Sequence, residues 1–281
     1  IILSSSCSSH KEQKALTIST NSWIGYAPLF YAKEKGYLDK LNIKLNTNVS
    51  LAEASNAYVS GQADMFTATQ HGYNTVKKVL KDTVAVMLLD RSDGGDVILS
   101  NKSITALKNA TKIDAYLEID SINKEILLDF IKHNKINKSK LHFINKDQSQ
   151  IHDLRADDAK FMLVVSYFPY NIKLQKHGFK EIASTKNIND IVVIDALYTS
   201  KKLLKQENNR LKRLKDVIDQ SIIEIESNKK DSYKLIKNYL DNISYNEYIN
   251  SLKLIEWIHK PSSVLLKRIQ PMGYDEKFLI K

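Results

Sequence analysis

Apolar positions along the chain follow two periods. Residues 14–20, with Leu16 and Ile18 alternating against Thr17 and Ser19, read as a first strand. Leu29, Phe30 and Ala32 then share the face of a helix over 27–36, which Pro28 opens and Gly36 stops. Ile43, Leu45 and Thr47 predict a second strand over 42–48. Ser50, with Glu53 three residues on, has the form of a capping box for a helix over 51–60. A turn at 61–64 leads into a short third strand. A helix over 73–81 is followed by Thr83-Val-Ala-Val-Met-Leu-Leu89, a continuous run expected of a strand buried on both faces. The polar loop Asp90-Arg-Ser-Asp-Gly-Gly-Asp96 and a strand over 97–100 close this block.

The pattern restarts with strands over 112–119, 141–145, 161–165 and 191–194. Helices are expected over 124–135, 149–156 and 171–177, and Gly178 ends the last of them. From Ser200 onward the chain reads as helical, with turns near 227–231 and 241–244, and Pro261 as a further helix start or break. Strands alternating with helices predict an α/β protein. The expected organisation is a tail over 1–13, one lobe over 14–98 completed by 198–281, and a second lobe over 99–197. The regions 96–100 and 195–200 are the expected crossings between lobes.

Composition narrows the class. The chain has 281 residues, 43% hydrophobic and 26% charged, which describes a soluble globular protein with material for a real core. Its formal net charge is +10, mostly from scattered lysines that are densest over 201–237. No helix-turn-helix, zinc-finger or RRM-like pattern accompanies that charge, so solvated helix faces explain it better than nucleic acid. The single cysteine, Cys7, follows Ile1-Ile-Leu-Ser-Ser-Ser6, which looks like the end of a bacterial lipoprotein signal, with Cys7 as the acylated residue. A Ser-rich tail with an incidental Cys is the plainer alternative. No stretch approaches the length and apolarity of a transmembrane helix.

Candidate chemistry gathers at strand ends. Trp23 and Tyr26 follow the first strand, Thr67 lies at the third, and Asp90, Ser92 and Asp96 flank Gly94-Gly95. Ser121 and Tyr167 follow strands of the second block, and Asp195 follows its last. Aromatics, hydroxyls and carboxylates recurring at one end of both blocks have the composition of a small-molecule cleft. Asp64 precedes a strand and reads as structural. Catalytic signals are weak, for there is no Gly-x-Ser-x-Gly elbow and no Walker loop. The histidines lack the spacing of a zinc helix, and Gly94-Gly95 opens into a strand rather than a helix. No metal and no cofactor is expected.

Six segments, taken in order, resemble bacterial ABC-transporter substrate-binding proteins of the nitrate/sulfonate/taurine type, related to thiamine-pyrimidine-precursor binding proteins. They are 23–38, Ser60-Gly-Gln-Ala-Asp64, the loop over 89–98, Tyr167-Phe-Pro-Tyr170, 178–184 and Ile194-Asp-Ala-Leu-Tyr198. The resemblance implies a type II periplasmic-binding fold, two α/β lobes that close like a hinge on a ligand, with a C-terminal helical segment. Carried over by position, it implies Trp23 and Tyr26 as an aromatic wall, Thr67 and Ser92 as hydroxyls, and Asp90 and Asp96 as carboxylates. Ser121 and Tyr167 would close from the second lobe, and Asp195 would contact the ligand or support the hinge. For Asp90, tying down its own loop is the equal alternative.

Anion-binding members of such a family would present neutral donors, helix N-termini or arginine. Here the only cation in the proposed cleft is Arg91, whose alternating position points it away from Asp90 and Ser92. The aspartates and aromatics instead suit a ligand with an amine, or a planar heterocycle stacked on Trp23. The expected protein is a monomeric, non-enzymatic solute receptor in the periplasm or on the outer face of the membrane. It is held there by a lipid on Cys7 and delivers a small organic ligand to an ABC permease. The competing readings are a sensor on the same fold and, last, a pyrimidine-biosynthesis enzyme, which would need a His- and Cys-rich loop that this chain lacks.

Overall fold

The computed structural model describes residues 14–187 and 191–280. Cys7 and its expected lipidation lie outside the described residues.

Strand β1 (Leu16–Asn21) runs parallel to β2 (Ile43–Asn48) and to β3 (Met65–Thr69). The helix between β1 and β2, Ala27–Glu34, begins with Pro in its first turn. Gly36 follows it at φ 68°, a left-handed conformation that lets the chain leave the helix at little cost. The helix Leu51–Val59 is capped as its sequence predicts, because Ser50 Oγ accepts from Glu53 N and Glu53 reaches back to Val49 N. Each crossover is therefore a short helix started and stopped by local side chains, which keeps the strands parallel.

The remaining strands of this sheet arrive from distant sequence. They are β4 (Thr83–Ser92), β10 (Ile194–Ser200) and β11 (Ile255–Trp257), in the spatial order β11-β4-β10-β3-β1-β2. A second sheet, β7-β6-β8-β5-β9, is built from β5 (Asp96–Ser100), β6 (Ile113–Leu117), β7 (Leu141–Asn145), β8 (Met162–Tyr167) and β9 (Lys180–Ser184). In the first sheet β10 inserts antiparallel between β3 and β4, and in the second β5 inserts antiparallel between β8 and β9. The chain thus changes sheets twice, at 93–95 and between β9 and β10.

These crossings differ from the expected ones. Residues 96–100 and 195–200 are not connectors but the inserted strands β5 and β10, and the expected boundaries at 98/99 and 197/198 fall inside them. The offset has a simple cause: patterning identifies a strand but cannot say which sheet it joins. The C-terminal region also departs from all-helix, since β11 pairs antiparallel with the edge of β4. Only three residues long, it carries too little alternation to stand out.

Each sheet has its own apolar core. Ile18, Phe30, Leu211 and Ile222 belong to the first, and Ile98, Ile113, Ile126, Phe130 and Leu163 to the second. Full burial of each such side chain contributes about 1.5–3 kcal/mol, so either layer has its own driving force. The long helix Asn208–Ser227 docks on Ala27–Glu34, where Tyr31 and Tyr37 both donate to Glu224. Tyr167 and Phe168, from the end of β8, pack into the first core and tie the two layers together.

Candidate functional site

Three aspartates come together where the chain crosses between sheets. Asp90 and Asp195 are register partners on β4 and β10, so their side chains project from one face of the sheet. Trp257 and Thr69 continue the same row on either side, opposite Asp90 and Asp195 respectively. Asp96 begins β5, immediately beyond the crossing. All three carboxyls are buried.

The aromatic turn after β1 holds two of them. Trp23 Nε1 donates to Asp90 Oδ1 at 3.0 Å, and the Tyr26 hydroxyl donates to Asp195 Oδ1. Gly25 lies between these two aromatics, and its backbone runs against Asp90. A Cβ at Gly25 would stand 2.1 Å from Asp90 Oδ2 and 2.3 Å from Trp23 Nε1. The carbonyl of Gly25 accepts from Trp257 Nε1 at 2.9 Å. Trp23 and Tyr26 therefore position carboxylates, a use that their place after a strand does not by itself imply.

The hinge is built from hydroxyls. Ser92 Oγ bonds Thr185 Oγ1 at 2.8 Å and accepts from Asp96 N at 3.2 Å, while Gly94 N donates to Thr185 Oγ1 at 2.8 Å. Ser92, expected to offer its hydroxyl to a ligand, is thus engaged in holding the two crossings side by side. Thr67 is likewise committed, through a 2.8 Å bond to Thr20 Oγ1. Gly95 lets the crossing pass under Trp23, since a Cβ there would stand 2.3 Å from Trp23 Cη2.

From the second sheet, Tyr167 meets Trp23 edge-to-face with ring centroids 6.0 Å apart. Ser121 caps the helix Ile122–His133, accepting from Asn123 N at 3.2 Å and donating to the Glu118 carbonyl at 2.9 Å. Its hydroxyl serves the turn. That turn also brings in Asn123, one of the polar residues at this strand end, and Glu118, which its sequence position does not single out. Both are buried beside Ser121, and among the described residues Glu118 Oε2 and both amide atoms of Asn123 have no partner. The Gly25 and Glu118 contributions depend on backbone approach and on turn geometry, which periodicity does not carry. Lobe closure is reinforced away from the carboxylates, where His71 Nδ1 and Glu125 Oε1 lie 2.7 Å apart between the helices Gln70–Val79 and Ile122–His133.

The electrostatics follow from burial without counterions. Desolvation pushes the Asp90 carboxyl well above its usual range, with a further push from Asp195 and only partial relief from the Trp23 hydrogen bond. Burial raises Asp195 to about 7 against the opposing Tyr26 bond, and raises Asp96 to about 6. Glu118 is raised to about 7 by burial and by Asp147. Asp90 Oδ2, Asp96 Oδ2 and the Tyr167 hydroxyl also lack a partner among the described residues. Arg91 faces away, as its alternation predicts, and pairs with Glu256 at 2.7 Å. Asp64 accepts from Thr17 N at 2.9 Å and from Lys14, a structural role as expected. Among the described residues, no group of three or more His, Cys, Asp or Glu is placed to hold a metal. None of the helices among them is long and apolar enough to cross a membrane.

The architecture is that of the type II periplasmic-binding proteins, two α/β lobes joined by paired crossings. Among solved structures, the ligand-binding component of an ABC-type import system from Staphylococcus aureus, with zinc bound, superposes with a TM-score of 0.75. It is 15% identical, over 96% of this chain and 97% of that one. The periplasmic aliphatic sulphonate binding protein SsuA from Escherichia coli has a TM-score of 0.74 at 13% identity, over 93% of this chain and 86% of that one. The alkanesulfonate-binding protein SsuA from Xanthomonas axonopodis pv. citri, bound to MOPS, has a TM-score of 0.74 at 12% identity, over 96% of each chain. No curated protein matches the chain by sequence. The family model described as NMT1/THI5 like matches residues 23–230, and the chain belongs to that family.

Proposed function

We propose that this protein is an extracytoplasmic solute-binding protein that captures a small organic cation between its lobes and delivers it to an ABC permease. Binding proceeds by closure of the lobes, without chemistry on the ligand. The observation that carries the ligand class is the row of buried carboxyls, Asp90, Asp195 and Asp96: Asp90 Oδ2 and Asp96 Oδ2 have no partner, and none of the three is paired to an ammonium or guanidinium, among the described residues. A carboxylate buried alone is costly, and a ligand cation that completes the pair recovers that cost. Trp23 and Tyr167 supply aromatic surface for its carbon frame or for a cation over a ring face. The structural neighbours named for sulphonates bind ligands of the opposite charge, so this chain shares their fold with a different selectivity.

Isothermal titration calorimetry with putrescine, butylamine, taurine and nitrate separates the readings. Amine binding is expected, weakened about tenfold to a hundredfold by Asp90→Asn or Asp195→Asn, the usual loss when one charged hydrogen-bond partner is removed. Tight binding of taurine or nitrate that survives replacing Asp90, Asp96 and Asp195 together by asparagine would overturn the proposal.

A further inference from the structure

The second lobe carries its own set of unused polar groups. Strands β6 and β8 are parallel neighbours, so the turns at their carboxyl ends emerge side by side. The β6 turn presents Glu118 and, at the start of the helix Ile122–His133, Asn123; the end of β8 presents Tyr167. Glu118 is 9% exposed, Asn123 0% and Tyr167 2%. Between them they leave a carboxylate oxygen, a carboxamide oxygen, a carboxamide nitrogen and a phenol hydroxyl without a partner among the described residues. Buried polar atoms are nearly always satisfied, so four in one turn-and-strand cluster point to a ligand group that satisfies them.

Tyr167 links this cluster to the aspartates. Its hydroxyl is raised well above its usual range by burial first, then by Glu118, Tyr170, Asp96 and Asp195, so it stands in the field of carboxyls from both lobes. Its ring meets Trp23 on one side and Tyr170 on the other, with centroids 6.0 Å and 5.5 Å apart. The aspartate row lies on the β4–β10 side of this aromatic group and Glu118 on the β6 side.

Resting on the cationic-ligand reading above, we infer that Glu118, Asn123 and Tyr167 form a second subsite and that the ligand is two-headed. One nitrogen cation pairs with Asp90 and Asp195, and a second nitrogen-bearing head group is held by Glu118 and Asn123. The carbon spacer between them lies along Trp23 and Tyr167. A ligand with a head in each lobe gains its second contact only when the lobes meet, so closure selects for two charges over one.

The test compares putrescine with butylamine by calorimetry on the whole protein. Putrescine is expected to bind at least about tenfold more tightly, the scale of one additional charge-assisted contact, and Glu118→Gln is expected to bring the two affinities together. Gln keeps the shape of Glu and removes a carboxyl that is costly to bury, so the ligand-free variant should melt no lower than the parent. Asn123→Ser offers a second route to the same narrowing if Glu118→Gln fails to fold. Equal affinities for the two amines, with neither variant altering their ratio, would overturn the two-headed inference and leave the aspartate site standing. Failure of both amines to bind would overturn the cationic reading and this inference with it.

Discussion

Replacing Gly25 by alanine is expected to destabilise the protein by about 3 kcal/mol or more and to weaken amine binding at least tenfold, although the change adds one methyl group. The backbone at Gly25 has ordinary helical character, so the cost is one of space. The new Cβ would fall 2.2 Å from Asp90 Cγ and 2.3 Å from Trp23 Nε1, and both neighbours are buried with no room to retreat. Whichever moves, the Trp23–Asp90 hydrogen bond breaks, and a buried carboxylate loses its one side-chain donor. A melting temperature lower by roughly 5–10 °C, followed by circular dichroism, is the corresponding readout for a chain of this size. A double-mutant cycle identifies the cause. In an Asp90→Ala background the oxygen and carbon that the methyl meets are gone, so Gly25→Ala should cost markedly less there. Equal costs in both backgrounds would place the strain elsewhere and sink the account of Gly25 as a spacer for Asp90.

That glycine marks the limit of what the sequence conveys. The α/β class and most elements follow from local rules: period-two alternation in β1 and β2, the Ser50 cap, Gly36 after its helix, and the double-sided burial of β4. The gathering of aromatics, hydroxyls and carboxyls at strand ends, where open sheets collect ligand sites, was legible too. Pairing was not. Asp90 and Asp195 lie 105 positions apart (195 − 90) and meet only because β10 inserts between β3 and β4. The same insertion, mirrored by β5, shifted both lobe boundaries by a few residues. Local hydrogen bonding also reassigned hydroxyls that read as ligand donors. Ser121 caps a helix, Ser92 clasps Thr185 across the hinge, and Thr67 bonds Thr20. Glu118 was passed over because a glutamate after a strand is ordinary in sequence and becomes notable only once it is buried with one carboxyl oxygen left without a partner among the described residues. Trp23, expected as a stacking wall, is a hydrogen-bond donor to Asp90 in the structure.

Without ligand, the protein is expected to become less stable as pH rises from 5 to 8, by an amount on the order of 5 kcal/mol or about 10 °C in Tm. The sign follows from the direction of the shifts. Asp96 is raised to about 6, Asp195 and Glu118 to about 7, and Asp90 well above its usual range, in each case chiefly by burial. A carboxyl with a higher pKa in the folded than in the unfolded chain binds its proton more tightly when folded. Its stabilising contribution is complete below the unfolded value of about 4 and is lost as pH climbs through the folded value. Salt-bridged surface carboxyls such as Asp153 and Asp275, whose pKa is lowered by their lysine partners, contribute with the opposite sign but below this window. A saturating diamine should flatten the decline, because the bound cation favours the ionised carboxylates, and its affinity should correspondingly rise between pH 5 and pH 8. Scanning calorimetry with and without putrescine measures both. If ligand-free Tm stays level or increases across that interval, the buried carboxyls already have partners within the protein, and the case for a cationic ligand loses its physical basis.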